Sequence, residues 1–223
     1  MTRHVGFLVY PGFVLLDLSG PLEAFANANP MASPAYQLTV ASLEGGMVRS
    51  ACDLRVATVP LPSLTLDTFI IVGSPEPPMG AWVAPLTVAI REMAARSRRT
   101  ACVCTGAFLL AASGLLDGRA ATTHWSFAPR LQERYPALRV DGNRMWTEEG
   151  GIWTSAGMSA GIDMMSCHDR AGPGQGCSAG GCAHAGGLLP PVERTVPILL
   201  TAESGSGPGS HPQDAALRPG AFA

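Results

Sequence analysis

Short, unbroken apolar runs alternating with helical stretches predict an α/β fold built on a mostly parallel sheet covered on both faces. Three observations carry this. The runs His4–Tyr10 (HVGFLVY), Phe69–Val72 (FIIV) and Thr100–Val103 (TACV) are largely apolar on successive residues, as strands buried on both faces are. Amphipathic segments follow the first, third and fourth strands, which is the pattern of right-handed βαβ units. Cys104 then stands between the end of a strand and Thr105-Gly106, which open the apolar segment Ala107–Leu116. A side chain at such a corner is pushed out of the sheet on a sharp turn, a nucleophile elbow.

Taken in order, His4–Tyr10 forms the first strand and Pro11-Gly12 breaks it. Leu18–Asn29 is helical, with Ser19 as the expected cap and Pro21 in the first turn. Tyr36–Ser42 is the second strand, and Val48–Val56 a polar connecting hairpin. Phe69–Val72 is the third strand, ending at Gly73-Ser74-Pro75. Leu86–Ser97 is an amphipathic helix, Thr100–Val103 the fourth strand and Ala107–Leu116 its following helix, stopped by Asp117-Gly118. Phe127–Arg134 is a short helix, Gly151–Thr154 a late strand, and Ala156–Met165 the start of another helix.

The chain has 223 residues, 47% hydrophobic and 14% charged, enough for a buried core without disulfides. Its net charge is −2, with no basic stripe to track nucleic acid, so no DNA binding is expected of this chain alone. All 15 cationic side chains are arginine, a mark of a GC-rich gene rather than of the fold. The six cysteines, at 52, 102, 104, 167, 177 and 182, contain no CxxC pair. Neither a signal-peptide core nor an uninterrupted apolar span of membrane length is present, so the expected location is the cytoplasm.

Ligands of such sheets sit at the carboxyl ends of the strands. Three segments share that edge: Pro11–Gly20, Gly73–Pro78 and Cys104. Unpaired N–H groups at a helix start favour negative charge, so the Cys104 thiol is expected to lose its proton more easily than usual; the alternative is a small buried hydrophobe. Asp17 is either a carboxylate able to move a proton near that thiol or a charge favoured at a helix start. His124, in TTHW, either pairs with Cys104 as a base or is a hydrogen-bonded residue opening the next helix. Cys167, His168, Cys177, Cys182 and His184 have a spacing that fits no usual zinc template, so neither metal nor cofactor is expected.

From Ser166 the character changes: residues 166–223 hold 11 glycines and 7 prolines among 58 residues. The helix from Ala156 runs into SCHDRAGPGQG, which is not expected to continue it. Read one base displaced, permitted codons for this tail give an amphipathic helix that would continue the interrupted one. The expectation is therefore a domain over 1–165 and a disordered, frameshifted tail over 166–223 whose Cys and His residues are accidental.

The runs VGFLVYPGFVLLDLSGPLEAF, CVCTGAFLLAASGLLDGRAATTHW and WTSAGMSAGIDM resemble the ThiJ/PfpI superfamily, whose fold is a class I glutamine amidotransferase-like, flavodoxin-like three-layer sandwich. The resemblance covers about three quarters of the chain. It extends to the N-terminal sensor domains of AraC-type transcriptional regulators, in which a helix-turn-helix domain follows, and to isonitrile hydratases. It implies a small-molecule sensing domain cut off from its DNA-binding half, with an unidentified ligand and a homodimer as partners; the alternative is a lyase that adds water to an isonitrile. It assigns the working positions to Cys104 and Asp17, with Thr105 beside the thiol and His124 near it. Gly73, Ser74 and Gly106 are the implied ligand-binding positions. Where many relatives have Gly-Gly after the third strand, this chain has Gly73-Ser74-Pro75: a Ser74 N–H is left to face the ligand, while Pro75 has none. A third function the residues allow is non-catalytic, with Cys104 serving only to sense oxidation.

Overall fold

The computed structural model describes residues 2–29 and 35–170, with side chains described as far as residue 165. Its sheet has eight strands in the order β3-β4-β2-β1-β5-β6-β10-β9. The central strands are β1 (Arg3–Leu8), β2 (Tyr36–Ser42), β5 (Thr68–Ile71), β6 (Arg99–Val103) and β10 (Ile152–Ser155), all parallel. β4 (Arg55–Pro60) joins β2 in parallel, and β3 (Gly46–Arg49) closes one edge antiparallel to β4. β9 (Trp146–Glu149) closes the other edge antiparallel to β10. A two-stranded parallel ladder, β7 (Ala120–Ala121) with β8 (Arg139–Val140), lies outside this sheet. This is the α/β, flavodoxin-like architecture expected.

Strand alternation sends side chains to two cores. Leu8, Phe69, Ile71 and Cys102 face the helices α2 (Val83–Arg96), α3 (Gly106–Ala112) and α4 (Ala128–Arg134), where Ile90, Met93, Phe108 and Leu131 bury against them. Phe7, Ile70, Val72 and Val103 face α1 (Leu15–Ala28) and α5 (Ser159–Arg170), which contribute Leu18, Phe25, Met164 and Met165. Burying a side chain of this size contributes roughly 1.5–3 kcal/mol. No helix among the described residues is long and apolar enough to cross a membrane.

Several boundaries differ from expectation: the first strand ends at Leu8, the hairpin runs on to Pro60 and α2 starts at Val83. α1 begins at Leu15, so Ser19 lies inside the helix rather than capping it, and Pro21 is interior. The backbone reaches α1 from Phe13, which is tied to the β3–β4 hairpin: Gly12 N–H donates to Arg49 and Ala51 N–H to Phe13. That tertiary clamp fixes the helix start earlier than local capping chemistry would. α3 ends at Ala112 rather than Leu116, since the residues up to Gly118 turn instead. α5 starts at Ser159 and takes in Ser166–Arg170, so it runs five residues past Met165 before the Gly-Pro segment. β7 and β8, two residues each, and β9, reading WTEE, carried no strand signature in the sequence. The tail expectation, with Cys177, Cys182 and His184, lies outside the described residues.

The first residue of α3 is pressed against the end of β5: a Cβ at Gly106 would lie 2.7 Å from the Ile71 carbonyl oxygen. Gly106→Ala must separate the two elements. The expected loss is about 1–3 kcal/mol, measured by urea unfolding.

Candidate functional site at the strand-to-helix elbow

The carboxyl ends of the adjacent strands β1, β5 and β6 bring three loops together. Cys104 follows β6 directly and has φ 57°, a left-handed conformation that a residue with a Cβ rarely adopts. Its backbone is fastened on both sides, which holds that geometry. The Cys104 N–H donates to Ser155 (3.0 Å), and the Cys104 carbonyl accepts from the Thr123 hydroxyl (2.8 Å) and from Ala107 N–H (3.3 Å). The side chain is 7% exposed.

Gly73, at the start of the loop after β5, lets the other two loops meet. A Cβ there would lie 2.8 Å from Cys104 Cβ and 2.9 Å from Asp17 Oδ2. Gly73 also accepts the Val14 N–H at 2.9 Å, which anchors the entry to α1. Asp17, three residues into α1, is fully buried. Its Oδ1 accepts the Met158 N–H at 2.9 Å, across 141 residues. Its Oδ2 is buried and meets no N–H or O–H donor; the Cys104 thiol is the weak donor facing the carboxyl.

These surroundings invert the expected charge at the elbow. Burial, and then the Asp17 charge, push the Cys104 thiol up to about 12, outweighing the Thr105 N–H that favours the thiolate. Burial raises the Asp17 carboxyl as well, against the Met158 N–H and the thiol, which lower it. The pair therefore stands as a neutral thiol beside a carboxyl that ionises reluctantly. Helix-start N–H groups do not make this thiol acidic, because an apolar, closed setting and a neighbouring carboxyl oppose them. Cys52, exposed in the β3–β4 turn, is the thiol whose value is lowered, chiefly through the Ser50 hydroxyl at 3.3 Å.

Thr105 and Ser74 lock to one another. The Thr105 hydroxyl accepts the Ser74 N–H and donates to the Ser74 carbonyl, both at 2.7 Å. The Ser74 N–H, expected to face a ligand, is thus taken by Thr105, and both groups position the β5 loop. Gly106 meets β5 backbone rather than open space. His124 caps a short turn, its Nδ1 meeting the Ser126 hydroxyl at 2.7 Å and its ring stacking on Trp125. It lies near enough to favour the Asp17 anion, and no hydrogen bond to Cys104 is formed. Among the described residues, no three His, Cys, Asp or Glu side chains gather as a metal site would require.

Sequence reasoning missed three participants. Tyr10 donates to the Ser74 hydroxyl at 3.3 Å, and burial raises its phenol. Gly157 lies over the thiol: a Cβ there would sit 3.1 Å from Sγ. Met158 supplies the N–H held by Asp17. The glycine in WTSAGMSAG was the only available signal for the latter two. Two open surface concavities lie elsewhere, one of about 200 Å³ lined by residues including Met79 and Tyr135, the other of about 460 Å³ beside Trp125 and Gln132.

A buried thiol on a left-handed elbow, faced by a carboxyl from the first βα loop of a parallel sheet, defines a class of α/β proteins with a cysteine elbow. Residues 3–167 match the DJ-1/PfpI family, and the chain belongs to that family. It is 44% identical over 138 residues to a protein of the cpoL 5′ region of Streptomyces lividans, covering 60% of this chain and 96% of that one. It is 34% identical to the HTH-type transcriptional regulator GlxA of Rhizobium meliloti, over 74% of this chain and 51% of that one. It is 32% identical to the isonitrile hydratase of Pseudomonas putida, over 73% and 69% respectively. The fold is also that of an AraC family transcriptional regulator from Pseudomonas putida (TM-score 0.65, 22% identity, 73% of this chain and 88% of that one). The chain spans about half the length of the curated regulator GlxA.

Two outcomes are expected from the electrostatics. At pH 8, iodoacetamide labels Cys52 at least tenfold faster than Cys104, as read by peptide mass spectrometry. The second concerns Asp17. Unfolded, it titrates at about 3.9; folded, it holds its proton to higher pH. The folded state therefore binds more protons in that interval, and this residue's contribution to stability declines as pH rises from about 4 through the raised folded value. Asp17→Asn removes the decline, so urea unfolding should show the variant gaining on wild type between pH 4 and pH 7.

Proposed function

We propose that this is a small-molecule sensing domain of the kind found in AraC-type regulators, in which the elbow binds rather than transforms its ligand. The observation that carries this is the closed elbow. Cys104 is 7% exposed with its thiol protonated, and Thr105 occupies the neighbouring Ser74 N–H. A nucleophile works as its thiolate, and an oxyanion pocket needs free donors; this elbow supplies neither in its resting form. Similarity to GlxA, which is about twice as long as the matched region, supports a role as one half of such a regulator, with the second half supplying DNA binding.

The Asp17 carboxyl facing the thiol favours a second reading, hydration of an isonitrile. There, Sγ would bond to the isonitrile carbon while the thiol proton reaches that carbon through Asp17, giving a thioimidate. Water would then add to the carbon, and the C–S bond would break as the sulfur regains a proton, leaving an N-substituted formamide.

Formamide production from cyclohexyl isocyanide separates the two. The sensing role expects no turnover above background in either wild type or Cys104→Ala. Turnover by wild type that Cys104→Ala abolishes would establish the lyase instead. Sequencing the DNA after the Met165 codon in all three frames is expected to reveal a helix-turn-helix.

A further inference from the structure

Over the thiol lies the tripeptide Ala156-Gly157-Met158, between β10 and α5. Gly157 has φ 116° and Met158, which carries a side chain, has φ 41°, so two successive residues sit in the left-handed half of backbone space. Such conformations persist where the surroundings hold them. The side-chain hydrogen bond holding this segment at Met158 is the one from Met158 N–H to Asp17 Oδ1. Gly157 lies close against Cys104: a methyl added to it would meet Cβ, Sγ and Cα of the cysteine. Beneath it, Asp17 Oδ2 is buried without an N–H or O–H partner, a costly state for a carboxyl oxygen.

α5 begins at the next residue and grips both walls of the elbow. A Cβ at Gly20, three residues after Asp17, would lie 2.8 Å from Ile162; one at Gly161 would lie 3.0 Å from Val103, the residue before Cys104. Because Ser159 opens α5 directly after Met158, displacement of the tripeptide acts on the first turn of α5.

We propose that residues 156–158 form a strap latched by Asp17. A small ligand carrying an N–H or O–H donor enters beneath it, bonds Oδ2 in place of the weak thiol donor, and displaces the strap together with α5. This rests on the elbow being the ligand site, and it makes α5 the element that reports occupancy. The ligand class is neutral or cationic with at least one such donor, and small enough to fit between Gly73 and Gly157. A ligand that offers no N–H or O–H leaves Oδ2 unmet and is not of this class.

The test uses iodoacetamide, whose adduct on Cys104 is a small amide placed under the strap, with hydrogen exchange as the readout. Full-length wild type alkylated at Cys104 is expected to show at least tenfold faster exchange in peptides spanning 156–165, with β1 and β5 unchanged; identically treated Cys104→Ala shows no change. Gly157→Ala, whose methyl meets Cys104, is expected to raise both the Cys104 labelling rate and exchange in 156–165 at least tenfold. Met158→Gly keeps the N–H and relieves the left-handed strain, so it slows both. If Gly157→Ala does not fold, Met158→Gly alone decides. Labelling and exchange that change independently, or alkylation that leaves α5 protection intact, would overturn the strap. Neither readout depends on turnover: hydration of cyclohexyl isocyanide by wild type would remove the sensing role and leave the strap standing.

Discussion

One backbone angle organises the active edge of this protein. With φ 57°, Cys104 follows β6 and sets its side chain against Asp17, Gly73 and Gly157. That angle is unfavourable for cysteine, so the surroundings must maintain it, and beside the local Ala107 N–H the fastenings are long-range. Ser155 from β10 takes the N–H, Thr123 donates to the carbonyl, and Thr105 binds Ser74 on the neighbouring loop. Loops that meet nowhere in the sequence thus converge because one residue is held out of its preferred conformation.

Convergence of this kind carries an electrostatic consequence. Packing Asp17, Gly73 and Gly157 around a thiol removes water from it, and water is what stabilises a thiolate. The geometry that creates a well-defined elbow also suppresses its reactivity at rest. An exposed thiol elsewhere, at Cys52, has the lower proton affinity although no element of the sheet is built around it.

The strands and the elbow were legible because their signals are local. An unbroken apolar run as short as FIIV suits little besides a strand covered on both faces, and a cysteine between a strand and Thr-Gly marks a corner. The shared carboxyl edge of the sheet raised Asp17 as one of two alternatives, and the family resemblance assigned its partnership with Cys104. What stayed hidden depended on distance in the chain or on depth. Nothing in GSP foretells that Thr105, 31 residues on, will take the Ser74 N–H. Nothing near Cys104 states how much water the fold excludes, so the sign of the thiol's shift could not be read. β9, reading WTEE, carries two carboxylates and pairs only through its neighbour β10, so tertiary pairing rather than propensity makes it a strand.

Pro21 inside α1 has a bearing on how that helix behaves. A proline has no amide hydrogen, so the backbone carbonyl of Asp17, four residues earlier, has no α-helical donor at that position. The opening turn of α1 is thereby joined less firmly to the body of the helix than a continuous ladder would join it. Its position is set instead from outside the helix, by the Val14 N–H on Gly73 and the Met158 N–H on the Asp17 carboxyl.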